Sequence, residues 1–186
     1  MRGAKTLYLF LAAVLLTTAG CANSKKPTVT FDPSADFTTI ATFAWASDEP
    51  MLITEGGNPR IHNANNDGLI RTAIERELGA RGVTKGEGEA DVLVYFQVTT
   101  AEKVSVGGFS TAGGLTWTQE NADRSYTQGT LLIGLFDARD RKQIWQGWTS
   151  RPLSPSDDPT VVINAAVAKI LAGYPPGAET GAPADK

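Results

Sequence analysis

Apolar and polar side chains alternate where the ordered part of the chain begins. Val29 and Phe31 interleave with Thr28 and Thr30, which predicts a short strand. From Phe37 to Trp45 the odd positions are Phe37, Thr39, Ala41, Phe43 and Trp45, an aromatic-rich face at period two that predicts a second strand. A loop is expected from Ser47 to Asn63, where Gly56, Gly57, Asn58 and Pro59 break any regular pattern. The spacing then turns helical: Leu69, Ile70, Ala73, Ile74, Glu77 and Leu78 follow a period of about 3.6. Arg71/Glu75 and Glu77/Arg81 fall four apart on the wet face of this helix, Asn66 or Asp67 is suited to cap its start, and Gly82 suits a left-handed stop.

Asp91 to Thr99 returns to period two, with Val92, Val94, Phe96 and Val98 on one side and Leu93, Tyr95 and Gln97 on the other. Both sides are largely apolar, so this strand is expected inside a sheet rather than at its edge. Thr127 to Asp137 and Gln143 to Thr149 predict a hairpin closed by the polar run Asp137 to Lys142. Asp158 and Pro159 then open a helix whose stripe of Val162, Ile163, Ala166, Val167, Ile170 and Leu171 ends before Gly173. The order is β-β-α-β-(β)-β-β-α, the bracketed strand lying in the Gly-rich stretch between Lys103 and Ser125. Two helices are too few to shield both faces of such a sheet. The expected class is therefore α+β, a two-layer sandwich in which two helices cover one face of a mostly antiparallel or mixed sheet of about five strands.

The first 20 residues do not fit this domain. Met1 to Lys5 is short and basic, Leu7 to Leu16 is uninterrupted and apolar, and Thr17, Thr18, Ala19 and Gly20 are small. Ten apolar residues are too few to span a bilayer, for which about 20 are needed, but suit the core of an export signal. Ala19-Gly20 directly before Cys21, the sole cysteine, resembles the bacterial lipobox, with Thr18 where most lipoboxes carry Leu. The resemblance implies cleavage before Cys21, acylation of its thiol and a lipid-anchored chain whose membrane partner is reached through Cys21. Ala22, where Asp would favour retention at the inner membrane, directs the expectation to the periplasmic side of the outer membrane. Residues 21–27 then read as a lipidated tether, 28–174 as one domain, and the Pro/Gly-rich stretch 175–186 as a disordered tail.

The 166 residues from Cys21 onward suffice for one core. With Arg2 and Lys5 removed in the leader, they carry a net charge of −5, which excludes the basic footprint of a nucleic-acid binder. A lone thiol leaves no internal disulfide, so burial must hold the domain together.

Catalytic patterns are not apparent. His62 is the only histidine and is expected in a loop, too few for a triad plus a second base or for a two-histidine metal site. Asn63 to Gly68 imitates half of a calcium loop, but Ile74 stands where a bidentate Glu is required, so helix capping is the better reading and no metal or cofactor is expected. Gly107-Gly108 and Gly113-Gly114 lack the lysine and following helix of a phosphate cradle. The segment Val104 to Asn121 carries Phe109, Leu115 and Trp117, a candidate docking loop. Asp32, Asp36, Asp91 and Asp137 each sit at a strand boundary, and a carboxylate enzyme would need two of them to converge. Of the four tryptophans, Trp45, Trp145 and Trp148 lie on predicted strands and are expected in the core, with Trp117 in the loop.

Several ordered blocks carry a family resemblance. They are Asp36-Phe37 through Thr42-Phe43-Ala44-Trp45; Ala73-Ile74-Glu75-Arg76-Glu77-Leu78 with Arg81-Gly82; and Ala90-Asp91-Val92-Leu93-Val94. Tyr126 through Gly129-Thr130-Leu131, Asp137-Ala138 with Ile144-Trp145-Gln146-Gly147-Trp148, and Ala165 to Leu171 leading to Tyr174-Pro175-Pro176 complete the set. Together they resemble the bacterial lipoproteins bearing domain of unknown function 4136. The resemblance implies a small lipid-anchored envelope domain without an assigned reaction. The expected role is a non-enzymatic binding or assembly module whose partner is an envelope protein or polymer. Two alternatives stand beside it: an envelope or cell-wall hydrolase using carboxylates, and an accessory to an oligomeric ring or pore.

Overall fold

The computed structural model describes residues 26–49, 51–52, 58–86, 88–105 and 124–176. The leader, Cys21, most of the tether, the tail from 177 and the candidate docking residues Phe109, Leu115 and Trp117 lie outside the described residues. Within them the chain runs β1 (Thr28–Phe31), β2 (Thr42–Trp45), α1 (Ala64–Gly79), β3 (Thr84–Lys85), β4 (Val92–Ser105), β5 (Arg124–Asp137), β6 (Gln143–Pro152) and α2 (Pro159–Leu171). The strands form one mixed sheet in the order β1-β6-β5-β4-β2-β3. β1, β6, β5 and β4 pair antiparallel in succession, whereas β2 is parallel to both β4 and β3. The class is α+β as expected, with six strands rather than five: the additional one, β3, is too short to show periodicity. β4 and β5 pair continuously from Val92↔Asp137 to Ser105↔Arg124, so the bracketed strand is an extension of this hairpin.

The core lies on one face of the sheet. Phe43 and Trp45, Val92, Val94 and Phe96, Leu131, Ile133 and Leu135, and Trp145 meet Ile70, Ala73, Ile74 and Leu78 of α1 and Val167, Ile170 and Leu171 of α2. The period-two reading succeeds on these strands because only alternate side chains reach the helices. It fails at Phe37. Asp36 accepts from the Thr38 amide at 3.0 Å and from its hydroxyl at 2.6 Å, turning Phe37–Thr39 into a single 3-10 turn in place of the start of a strand. Phe37 then packs edge-on against Phe31 and Tyr174. Trp148, expected in the core, faces the other side of the sheet and is half-buried there, opposite Leu132. On that helix-free side the Tyr95 ring lies over Gly134 and beside Phe136, with ring centroids 5.0 Å apart.

The helix ends follow side-chain capping. α1 begins one turn earlier than the apolar stripe suggests, because Asn63 rather than Asn66 or Asp67 is the cap, accepting from the Asn66 amide at 2.9 Å. Asn66 and Asp67 are instead buried. Asp67 accepts from the Leu52 amide at 2.9 Å and pairs with Arg71 at 2.8 Å. Arg71 therefore does not reach toward Glu75. Its guanidinium stacks 4.7 Å from the Trp45 ring centroid and binds the carbonyls of Ser47 and Glu49. The Glu77–Arg81 pair forms as expected at 3.0 Å, and Gly82 takes φ +83°. Asp158 caps α2, with Pro159 in its first turn.

One substitution is expected to act with opposite signs at two glycines. A methyl at Gly147 would lie 2.7 Å from the Trp145 ring and 2.8 Å from Ile170 Cγ2, so Gly147→Ala should cost about 1–3 kcal/mol. Gly68, exposed within α1 and with nothing within 4 Å of the added methyl, should gain up to about 1 kcal/mol as Gly68→Ala. Urea unfolding of the two variants checks both signs.

Candidate functional site

Two concavities occupy opposite ends of the sheet. At one end the chain brings together the four strand-boundary acids, which sequence spacing could not place. Asp32 follows β1, Asp36 caps the 3-10 turn, Asp91 precedes β4 and Asp137 ends β5, and all four line a depression of about 340 Å³ with Asp140, Arg139 and Lys142. Convergence alone does not make an acid–base pair, because each carboxylate already holds the backbone. Asp91 Oδ2 accepts from the amides of Ala41 and Thr42 at 3.0 and 2.9 Å and from the Thr42 hydroxyl at 2.8 Å, tying the start of β2 to β4. The Ala41 amide, then the Thr42 hydroxyl and amide, hold its carboxyl below the ordinary carboxylate value. Asp32 is bound by Lys142 and by the Ser34 amide and hydroxyl, which lower its pKa strongly. Asp36 is likewise lowered by the Thr38 hydroxyl and amide. Asp137 accepts from the Arg139 amide at 2.8 Å, the turn role its sequence setting suggested. A general acid at neutral pH needs a raised carboxyl pKa, and those of Asp32, Asp36 and Asp91 are shifted the other way.

The second concavity is apolar and about 390 Å³ in volume, within the range of small-molecule sites at roughly 300–1,000 Å³. Its floor is the core-side face of β4, β5 and β6 near the end of the hairpin: Val98, Leu131, Gly129 and Thr149. The cavity exists because core-facing positions shrink along β5, from Leu135, Ile133 and Leu131 to Gly129 and Thr127. Leu153, beyond β6, packs over Gly129, where an added Cβ would meet its Cδ1 at 2.7 Å. One wall is Ile61 with Ile70 of α1, and the other is Val162, Ile163 and Ala166 of α2. Arg60 and Arg151 stand at the exposed rim. Arg60 donates to the Pro155 carbonyl at 2.9 Å, and Arg151 pairs with Asp157 at 3.2 Å.

Sequence reasoning missed this cavity. It places Val162, Ile163 and Ala166 in a buried stripe, whereas all three are only half-buried: Ile163 and Ala166 pack on the edge of the core, and all three line the cavity. The legible signal was the run of small core-side residues Thr127, Gly129 and Thr149. His62 lies in the loop before α1, as expected, its amide donating to the Asn58 carbonyl at 2.8 Å. The Asn63–Gly68 oxygens serve the helix start: Asn63 caps, and Asn66 donates to the carbonyls of Arg60 and Ile61 at 3.1 and 2.9 Å. Among the described residues no group of three His, Cys, Asp or Glu side chains is arranged to hold a metal ion, and no helix is long and apolar enough to cross a membrane.

The sequence profile of the family described as domain of unknown function DUF4136 matches residues 27–176. The chain belongs to the DUF4136 family. The match begins just before β1 and ends just after Tyr174, whose ring meets Trp145 edge-on, so it spans every described strand and helix. No curated protein matches the chain. Among solved structures, this DUF4136 domain is similar to a PDZ domain protein from Parabacteroides distasonis, with 14% identity and a TM-score of 0.54. The alignment covers 84% of this chain but only 36% of that one, and at this identity it shows the fold alone. It is also similar to a PelC dodecamer from Paraburkholderia phytofirmans, with 12% identity, 80% of this chain and 97% of that chain covered, and a TM-score of 0.46.

The acidic end gives a structural prediction. Asp91→Ala should cost about 1 kcal/mol, below the usual worth of bonds to a charged group because the carboxylate stays partly open to water. The folded pKa of Asp91 is lowered, so its contribution is present above the unfolded value of about 3.9 and lost as pH falls through the folded one. Thermal melts across acid pH should therefore show a shallower decline in Asp91→Ala than in the natural chain.

Proposed function

We propose that this domain is moored to the outer membrane through an acylated Cys21, faces the periplasm, and works there as a binding or assembly module rather than as an enzyme. The observation that carries the reading is the chemistry of the apolar cavity. Among the described residues its lining holds a single carboxylate, Asp157, and no histidine, cysteine or glutamate. That carboxylate is occupied by Arg151 and by the Ser154 amide at 2.9 Å. A site of this composition retains a ligand through burial and offers no base to activate a nucleophile.

The mooring is supported by the leader pattern and by the chain's point of entry. Thr28 pairs with Trp148 in an antiparallel ladder, so β1 is entered from the side of Thr149 and Arg151, at the cavity's end of the sheet. Cys21 precedes Thr28 by seven residues, which span at most about 25 Å when extended. Three acyl chains, at roughly 0.8 kcal/mol per buried methylene, suffice for stable attachment.

Cys21→Ala is expected to leave an uncut or mis-sorted precursor. Mass spectrometry of the natural N-terminal peptide, together with detergent phase partitioning of the variant, tests this. A bare thiol and unchanged partitioning defeat the mooring. Crosslinking the lipidated protein in envelope membranes tests the module reading, which predicts a reproducible partner that is lost when the cavity is filled.

A further inference from the structure

The apolar cavity has a shape and lining that select a class of ligand. Its walls are aliphatic, from Leu52, Ile61, Ile70, Leu153, Val162 and Ile163, and among the described residues no aromatic side chain lines it. It therefore offers no stacking surface for a sugar or a nucleobase. β5 lies between β4 and β6 with both its edges paired, so the centre of the floor presents no free strand edge to a peptide lying in the cavity. The lining favours burial of flexible methylene chain, for which an aliphatic cavity of this volume is suited.

The rim adds a sign of charge. Arg60, Arg151 and Asp157 are the charged residues of the lining. Asp157 offsets Arg151, whereas Arg60 reaches only the Pro155 carbonyl among the described residues. Both guanidiniums grip the same short stretch, Pro155 to Asp157, so they lie on one side of the mouth with one positive charge in excess. The chain enters the fold at this same end of the sheet.

We propose that the cavity between the first turns of α1 and α2 and the β4–β5–β6 floor binds a single long acyl chain with an anionic head, the chain among the aliphatic walls and the head at Arg60. The ligand is a free amphiphile rather than the chain's own anchor. This rests on reading the cavity as a binding site, but not on acylation of Cys21.

The full mature chain carrying Cys21→Ser, which has no attached lipid to compete, is titrated with a dansylated undecanoic acid. A saturable rise in fluorescence reversed by palmitate is expected. Ala166→Phe on the α2 wall and Thr149→Leu on the floor fill the cavity from different elements. Each should weaken binding by about tenfold or more while the thermal transition is retained. Arg60→Gln should weaken the acid by about two- to fivefold and leave the neutral methyl ester unchanged. Displacement by lysophosphatidylglycerol as well as by palmitate would place a phosphate head among the accepted ligands, and displacement by palmitate alone would restrict the head to a carboxylate. Absence of saturable binding, or equal affinity in both filled variants with their folds intact, overturns the proposal. Turnover of p-nitrophenyl palmitate that disappears in the filled variants would keep the acyl site and overturn the non-enzymatic reading beneath it.

Discussion

Two helices must remove from water the apolar face of a six-stranded sheet, and they do so unevenly. Where core-facing side chains are large, at Trp145, Leu135, Ile133 and Val94, the helices close on the sheet and side chains there are almost wholly buried. Gly147 marks how tight the closure is, since Ile170 and the Trp145 ring leave no room for a methyl. Toward the end of the hairpin the same face carries Gly129, Thr127 and Thr149, and the space between sheet and helices opens into the cavity. Side-chain volume along β5 thus sets both where sheet and helices pack closely and where the cavity opens between them.

The two ends of the sheet divide the remaining chemistry. The acids at one end are consumed by structure: Asp91 joins β2 to β4, Asp32 holds a turn and Lys142, and Asp36 bends the chain into a 3-10 turn. Their lowered pKa values report this, because backbone amides and a lysine stabilise the charged form. The other end is aliphatic with an arginine rim, and the chain's entry into β1 leads to it.

Buried ionic groups serve specificity in one further place. Asp67 is 4% exposed and pairs with Arg71, which also binds the Ser47 and Glu49 carbonyls and stacks on Trp45. With every partner satisfied, this pair fixes the path of the chain between β2 and α1. The four-apart rule pointed Arg71 at Glu75, but Glu75 instead accepts from the Trp45 indole at 3.2 Å and meets Lys85 at 3.4 Å. Local spacing identifies which side chains are near enough to pair, and the neighbouring elements decide among them.

Amphipathic periodicity by itself determined the two helices, the β4–β5–β6 strands and the α+β class, because these depend on which alternate or every-third residue is apolar. Caps at Asn63 and Asp36 moved the element ends, since a side-chain oxygen competes with backbone pairing over only two or three residues and leaves no periodic trace. Only the tertiary structure decided that four dispersed aspartates share one depression, that Trp148 faces away from the helices, and that Leu52, Ile61, Val98, Leu153 and Val162 enclose a single cavity. Those facts depend on strand order and register, which bring residues far apart in the chain to one end of a sheet, and no short-range pattern encodes that distance.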